Sequence, residues 1–119
     1  MTSGEVSAHD YWLVLSTPRQ DVDPAWLHDV LPAHLQWVEA LEQEGVVFLS
    51  GPLLPAPGAP SGAGATVIRA ADGAAATELA GQDPFVQAGL RTFAVHQWRV
   101  NEGSLQVKLF LGAGRLEWR

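Results

Sequence analysis

The 119-residue chain has no cysteine, a single methionine and a single tyrosine. Without a thiol there is no disulfide framework, no thiolate nucleophile and no cysteine-bound zinc. Basic residues are scarce too: seven Lys and Arg against thirteen Asp and Glu leave a net charge of -6. That excludes the concentrated positive face that displaces counterions from nucleic acid, and equally one that docks on anionic lipid. No apolar run approaches the roughly 20 residues that span a bilayer. Residues 1–10 (MTSGEVSAHD) lack the charged start and apolar run of a secretory signal. The expectation is a soluble, cytoplasmic protein with neither nucleic-acid nor membrane partners.

What is present is a globular composition, 47% hydrophobic and 17% charged, with five tryptophans. The length suits one core, so residues 1–119 read as a single domain. Residues 1–9 are expected to be a flexible N-terminus and 101–119 a C-terminal extension. Tyr11 to Ser16 (YWLVLS) is apolar at nearly every position and reads as a central strand covered on both faces. Asp23-Pro24 is a helix start, with Asp as cap and Pro in the first position. Because Pro32 lacks an N–H, the pattern predicts a short turn over 25–30 and a separate main helix from Pro32 to Glu44, stopped by Gly45. On that helix Leu31, His34, Leu35, Val38 and Leu41 share one face.

Val46 to Ser50 predicts a second strand ended by Gly51-Pro52, and the Pro- and Gly-rich stretch to Gly64 a loop long enough to cover a site. Ala65 to Ala70 is a third strand. Ala74 to Ala80 is a short helix, and Asp83 to Gly89 is one capped helical turn. Leu90 to Val100 alternates as a fourth strand, and Leu105 to Leu111 as a fifth. The tail from Gly112 gives no signal. The order β-α-β-β-α-β is the ferredoxin-like α+β arrangement, an antiparallel sheet with both helices on one face, here with an extra C-terminal strand. Apolar residues on both sheet faces predict a homodimer with sheets packed face to face and an apolar cleft between sheet and partner.

Four stretches, Pro32-Ala33-His34-Leu35, Glu44-Gly45 leading to Gly51-Pro52-Leu53, Gly64-Ala65-Thr66-Val67-Ile68 and Asp83-Pro84-Phe85-Val86-Gln87-Ala88-Gly89, resemble in order and spacing the YCII-related family of dimeric α+β barrels. The resemblance spans about residues 11 to 99. It implies that His34 and Asp83 form the active-site pair. It also implies an activity of the lyase or isomerase kind, since a member acts as a dehydrochlorinase on a chlorinated hydroxyhydroquinone. Leu31 stands where the family often has Arg, and the stretch after residue 100 exceeds the usual family end.

The residues themselves allow that chemistry. An imidazole exchanges a proton near neutral pH, and a carboxylate on its other nitrogen fixes the tautomer and stabilises the imidazolium. His34 is therefore the candidate general acid or base and Asp83 its partner, with Ser50, Gly51, Pro52, Phe85 and His96 as candidate pocket-lining residues. The plain alternatives are a core histidine and a capping aspartate, and the two roles of Asp83 are compatible because it has two oxygens. The four histidines show no ligand spacing, so no metal is expected, and no cofactor either. The expected function is cofactor-free proton transfer on a small, cyclic or phenolic compound. The alternatives are a non-catalytic small-ligand-binding protein and a structural dimer without ligand.

Overall fold

The computed structural model describes residues 10–58 and 62–118. The expectation of a flexible segment at 1–9 lies outside them. In chain order come β1 (Asp10–Pro18), α1 (Pro24–Gln43), β2 (Val47–Leu53), β3 (Ala63–Ile68), α2 (Gly73–Gly81), α3 (Pro84–Gln87), β4 (Arg91–Arg99), β5 (Val107–Phe110) and β6 (Arg115–Trp118). Strands β1 to β4 form one sheet in the order β2-β3-β1-β4, with every neighbouring pair antiparallel. This is the ferredoxin-like α+β fold. The largely apolar β1 is a central strand, as its sequence predicts, flanked by β3 and β4.

The strand phase decides which residues meet the helices. Across β4, β1, β3 and β2 the registered row Val95–Val14–Thr66–Ser50 lies beside Phe93–Ser16–Gly64–Pro52. Both rows face the helix layer. Val14, Val47 and Ile68 from the sheet pack with Leu41 of α1 and Ala76 and Ala80 of α2, and Trp12, Trp37 and Phe93 surround them. Close approach of α2 needs a small first residue: a methyl at Gly73 would sit 3.3 Å from the Trp12 ring. Ile68 is 2% exposed. Ile68→Val should therefore lower unfolding free energy by about 0.5–1.5 kcal/mol, read as a shifted urea midpoint with unchanged slope.

Three boundaries differ from the sequence reading, each for a physical reason. The first helix is continuous through Pro32 rather than a turn followed by a helix. Its Asp23 cap accepts from the Ala25 N–H, and Pro32 is exposed, so the carbonyl that loses a helical partner there can turn to water. Strand β2 runs on through Gly51 and Pro52 to Leu53. It is an edge strand, where a residue without an N–H costs no ladder bond on the open side. The extra C-terminal strand β5 forms, but it pairs with β6 in a separate two-stranded sheet, Val107 opposite Trp118 and Leu109 opposite Leu116, and not with the main sheet. Glycine-rich Gly112 to Gly114 makes the turn, with Gly114 at φ 63°. No helix among the described residues is long and apolar enough to cross a membrane.

Candidate active site

A cavity of about 530 Å³ lies between the helix-facing side of the sheet and α1 and α3. Its floor is the pair of registered rows just described apart from Val95, and Gly64 adds no side chain to it. Leu27, Leu31 and Leu35 of α1 wall it. That explains why Leu31 and Leu35, on the predicted inner face of the helix, stay 39% and 49% exposed: they look into the cavity, not into packed core. The volume is that of a small-molecule site. The cavity lies on the helix-facing side of the sheet, beside His34 and Asp83.

At its edge His34 Nδ1 lies 2.8 Å from Asp83 Oδ1. Helix α1 carries the imidazole inward, and the tight turn opening α3 carries the carboxylate. Asp83 caps α3 at the same time, its Oδ1 accepting from the Phe85 N–H at 2.9 Å, while Pro84 takes the first helical position. The capping role and the histidine contact therefore fall on one buried side chain, 7% exposed. A carboxylate only accepts, so a neutral imidazole here carries its proton on Nδ1 and its lone pair on Nε2. The ring rests on Phe85, centroids 4.7 Å apart. Phe85 is itself buried at 6%.

Of the other sequence candidates, Ser50, Gly51, Pro52 and Phe85 line the cavity. Ser50 and Thr66 share a hydroxyl–hydroxyl bond of 2.9 Å on its floor. His96 does not line it. It pairs with Leu13, in the opposite strand phase from Phe93 and Val95, and so faces away from the helices. Sequence reasoning passed over Arg91, which lines the cavity. The signal was available: Arg91 shares the phase of Phe93 and Val95, the inward face of β4. Burial pushes the Arg91 pKa down, and nearby Asp83 partly offsets this. Among the described residues no three His, Asp or Glu side chains gather as a metal site requires.

A family model described as the YCII-related domain matches residues 11–99. The chain belongs to the YCII-related family. The match spans β1 through β4 and leaves the β5–β6 hairpin outside it. Among solved structures, the chain is similar to 5-chloro-2-hydroxyhydroquinone dehydrochlorinase from Burkholderia phenoliruptrix AC1100, in complex with 2,5-dihydroxybenzoquinone. The TM-score is 0.62 at 23% identity, covering 78% of this chain and 95% of that one. That likeness is one of fold. No curated protein sequence matches.

Proposed function

We propose that this YCII-related protein is a soluble cytoplasmic enzyme that moves a proton on a small cyclic or phenolic compound without a cofactor, in a lyase or isomerase reaction. One observation carries the reading: a partly buried His–Asp pair at hydrogen-bond distance, 2.8 Å, on the wall of a mostly apolar cavity. His34 Nε2 takes a proton from a hydroxyl or an acidic carbon. Asp83 holds the ring and stabilises the imidazolium that forms. Return of the proton to another atom gives isomerisation. Departure of a leaving group with its bonding electron pair gives elimination. The similar dehydrochlorinase makes chlorinated hydroxyhydroquinones the first compounds to assay. Chloride release above background with the wild-type protein supports elimination. A compound that binds and is recovered unchanged, with no solvent deuterium at ring carbons, would instead favour a binding protein.

The same reading includes a homodimer. The sheet face away from the helices carries Leu49, Val67, Leu13 and His96 in one registered row, with Tyr11 opposite Trp98 beside it. Leu49 and Trp98 are 47% and 45% exposed. The hairpin adds a second apolar surface: Val107, Leu109, Leu116 and Trp118 share one face, each more than half exposed. Lys108, Glu117, Phe110 and Arg115 share the other. An isolated two-stranded hairpin is marginal in water, so its apolar face calls for cover. We expect Leu49→Lys to shift a dimer toward monomer in light scattering at micromolar concentration. A dimer that persists would contradict pairing through the sheet face.

A further inference from the structure

We infer that Arg91 is the binding residue for an oxyanion on the ring compound, so that the cavity selects substrates carrying a phenolate or a vinylogous carboxylate. This rests on the small-molecule reading of the site and narrows it to a charge class.

Arg91 is the only Lys or Arg on the cavity wall among the described residues. It is held in place rather than free to swing. Its Nη1 donates to the Ser16 carbonyl at 3.2 Å and approaches the Ser16 hydroxyl at 3.4 Å. Its guanidinium carbon sits 5.1 Å above the centre of the Phe85 ring. Phe85 thus carries both the imidazole and the guanidinium. Among the described residues no carboxylate pairs with it directly: Asp83 acts on it through space and bonds to His34 and Phe85. Nε is buried and meets no acceptor among the described residues. A guanidinium partly stripped of water, anchored by one nitrogen and facing an apolar chamber, lacks an anion.

The chemistry is consistent with proton abstraction at His34. Removing a proton from a phenolic ring leaves negative charge on oxygen, and a fixed cation stabilises it without rearranging. Asp83 alone would repel such charge. With Arg91 beside it, a bound monoanion sees one carboxylate and one guanidinium.

The test uses the full chain and two probes. 2,5-Dihydroxybenzoquinone is a vinylogous acid, ionised at neutral pH, and 2,5-dimethoxybenzoquinone is its uncharged analogue. Calorimetry of the wild-type protein should give at least tenfold tighter binding of the ionised quinone. Arg91→Met should weaken that binding by about 10–100-fold and leave the dimethoxy compound unaffected. Arg91→Lys should restore most of the difference, which a merely structural role through Ser16 would not do. Equal affinity of the wild-type protein for both quinones would overturn the role of Arg91 while leaving the small-molecule site standing. Binding of neither would overturn both. The wild-type comparison decides the matter even if Arg91→Met does not fold.

Discussion

Asp83→Asn should lower turnover by a factor of the order of 10²–10⁴ while the protein stays folded, and His34→Ala should lower it comparably. The asparagine variant separates the two duties of Asp83. An amide oxygen still accepts from the Phe85 N–H, which Asp83 Oδ1 now does at 2.9 Å, and Asn caps a helix about as well as Asp. What Asn cannot do is stabilise an imidazolium, and its amide can turn the histidine to the other tautomer. Asp83→Ala differs: it removes the cap as well, costing about 1 kcal/mol, and leaves the imidazole without its 2.8 Å partner. Steady-state rates on a turned-over chlorinated hydroquinone, alongside urea unfolding of each variant, give the comparison. A rate loss in Asp83→Asn with little change in stability marks chemistry. A stability loss in Asp83→Ala with normal rates in Asp83→Asn would leave the residue as a cap.

Phe85→Ala should be the most destabilising substitution at the site, by about 3–5 kcal/mol. The ring is 6% exposed. Removing it takes away the platform under the His34 ring at 4.7 Å and under the Arg91 guanidinium at 5.1 Å. A helix of four residues has little stability of its own, so α3 depends on this anchor. Phe85→Leu fills most of the volume and should recover about half of the loss, without restoring the aromatic contact. Denaturant unfolding monitored by tryptophan fluorescence reads both. A cost below about 1 kcal/mol for Phe85→Ala would mean that α3 is held elsewhere and that the site geometry does not hinge on this ring.

Much of this was legible in the residues, and the parts that were not have identifiable causes. Strand order and helix order follow from alternation in Leu90 to Val100, the apolar run at Tyr11 and the caps at Asp23 and Asp83, each of which accepts from a backbone N–H two residues on. The His34–Asp83 pair was readable because its members sit in short motifs whose spacing a family shares. Pro32 misled because exposure lets water satisfy the carbonyl it leaves unpaired, and exposure is a tertiary property. The cavity within the chain was not legible because a helical apolar face looks the same in sequence whether it meets a sheet or stands off from one. Gly64 and Ser16 on the floor leave that gap, and it becomes visible only once β3 and β1 are in register. His96 does not line the helix-side cavity because it belongs to the outward phase of β4. Arg91 belongs to the inward phase, and its place over the Phe85 ring of α3 is a tertiary contact.

The most direct test of a small-molecule site at His34 and Asp83 is a titration of the protein with 2,5-dihydroxybenzoquinone, followed through the imidazole resonances of its histidines. The account predicts saturable movement of the His34 signals, which line the cavity, with the His96 signals on the far face of the sheet unchanged. Stationary His34 signals at millimolar ligand, or movement confined to His96, would contradict it.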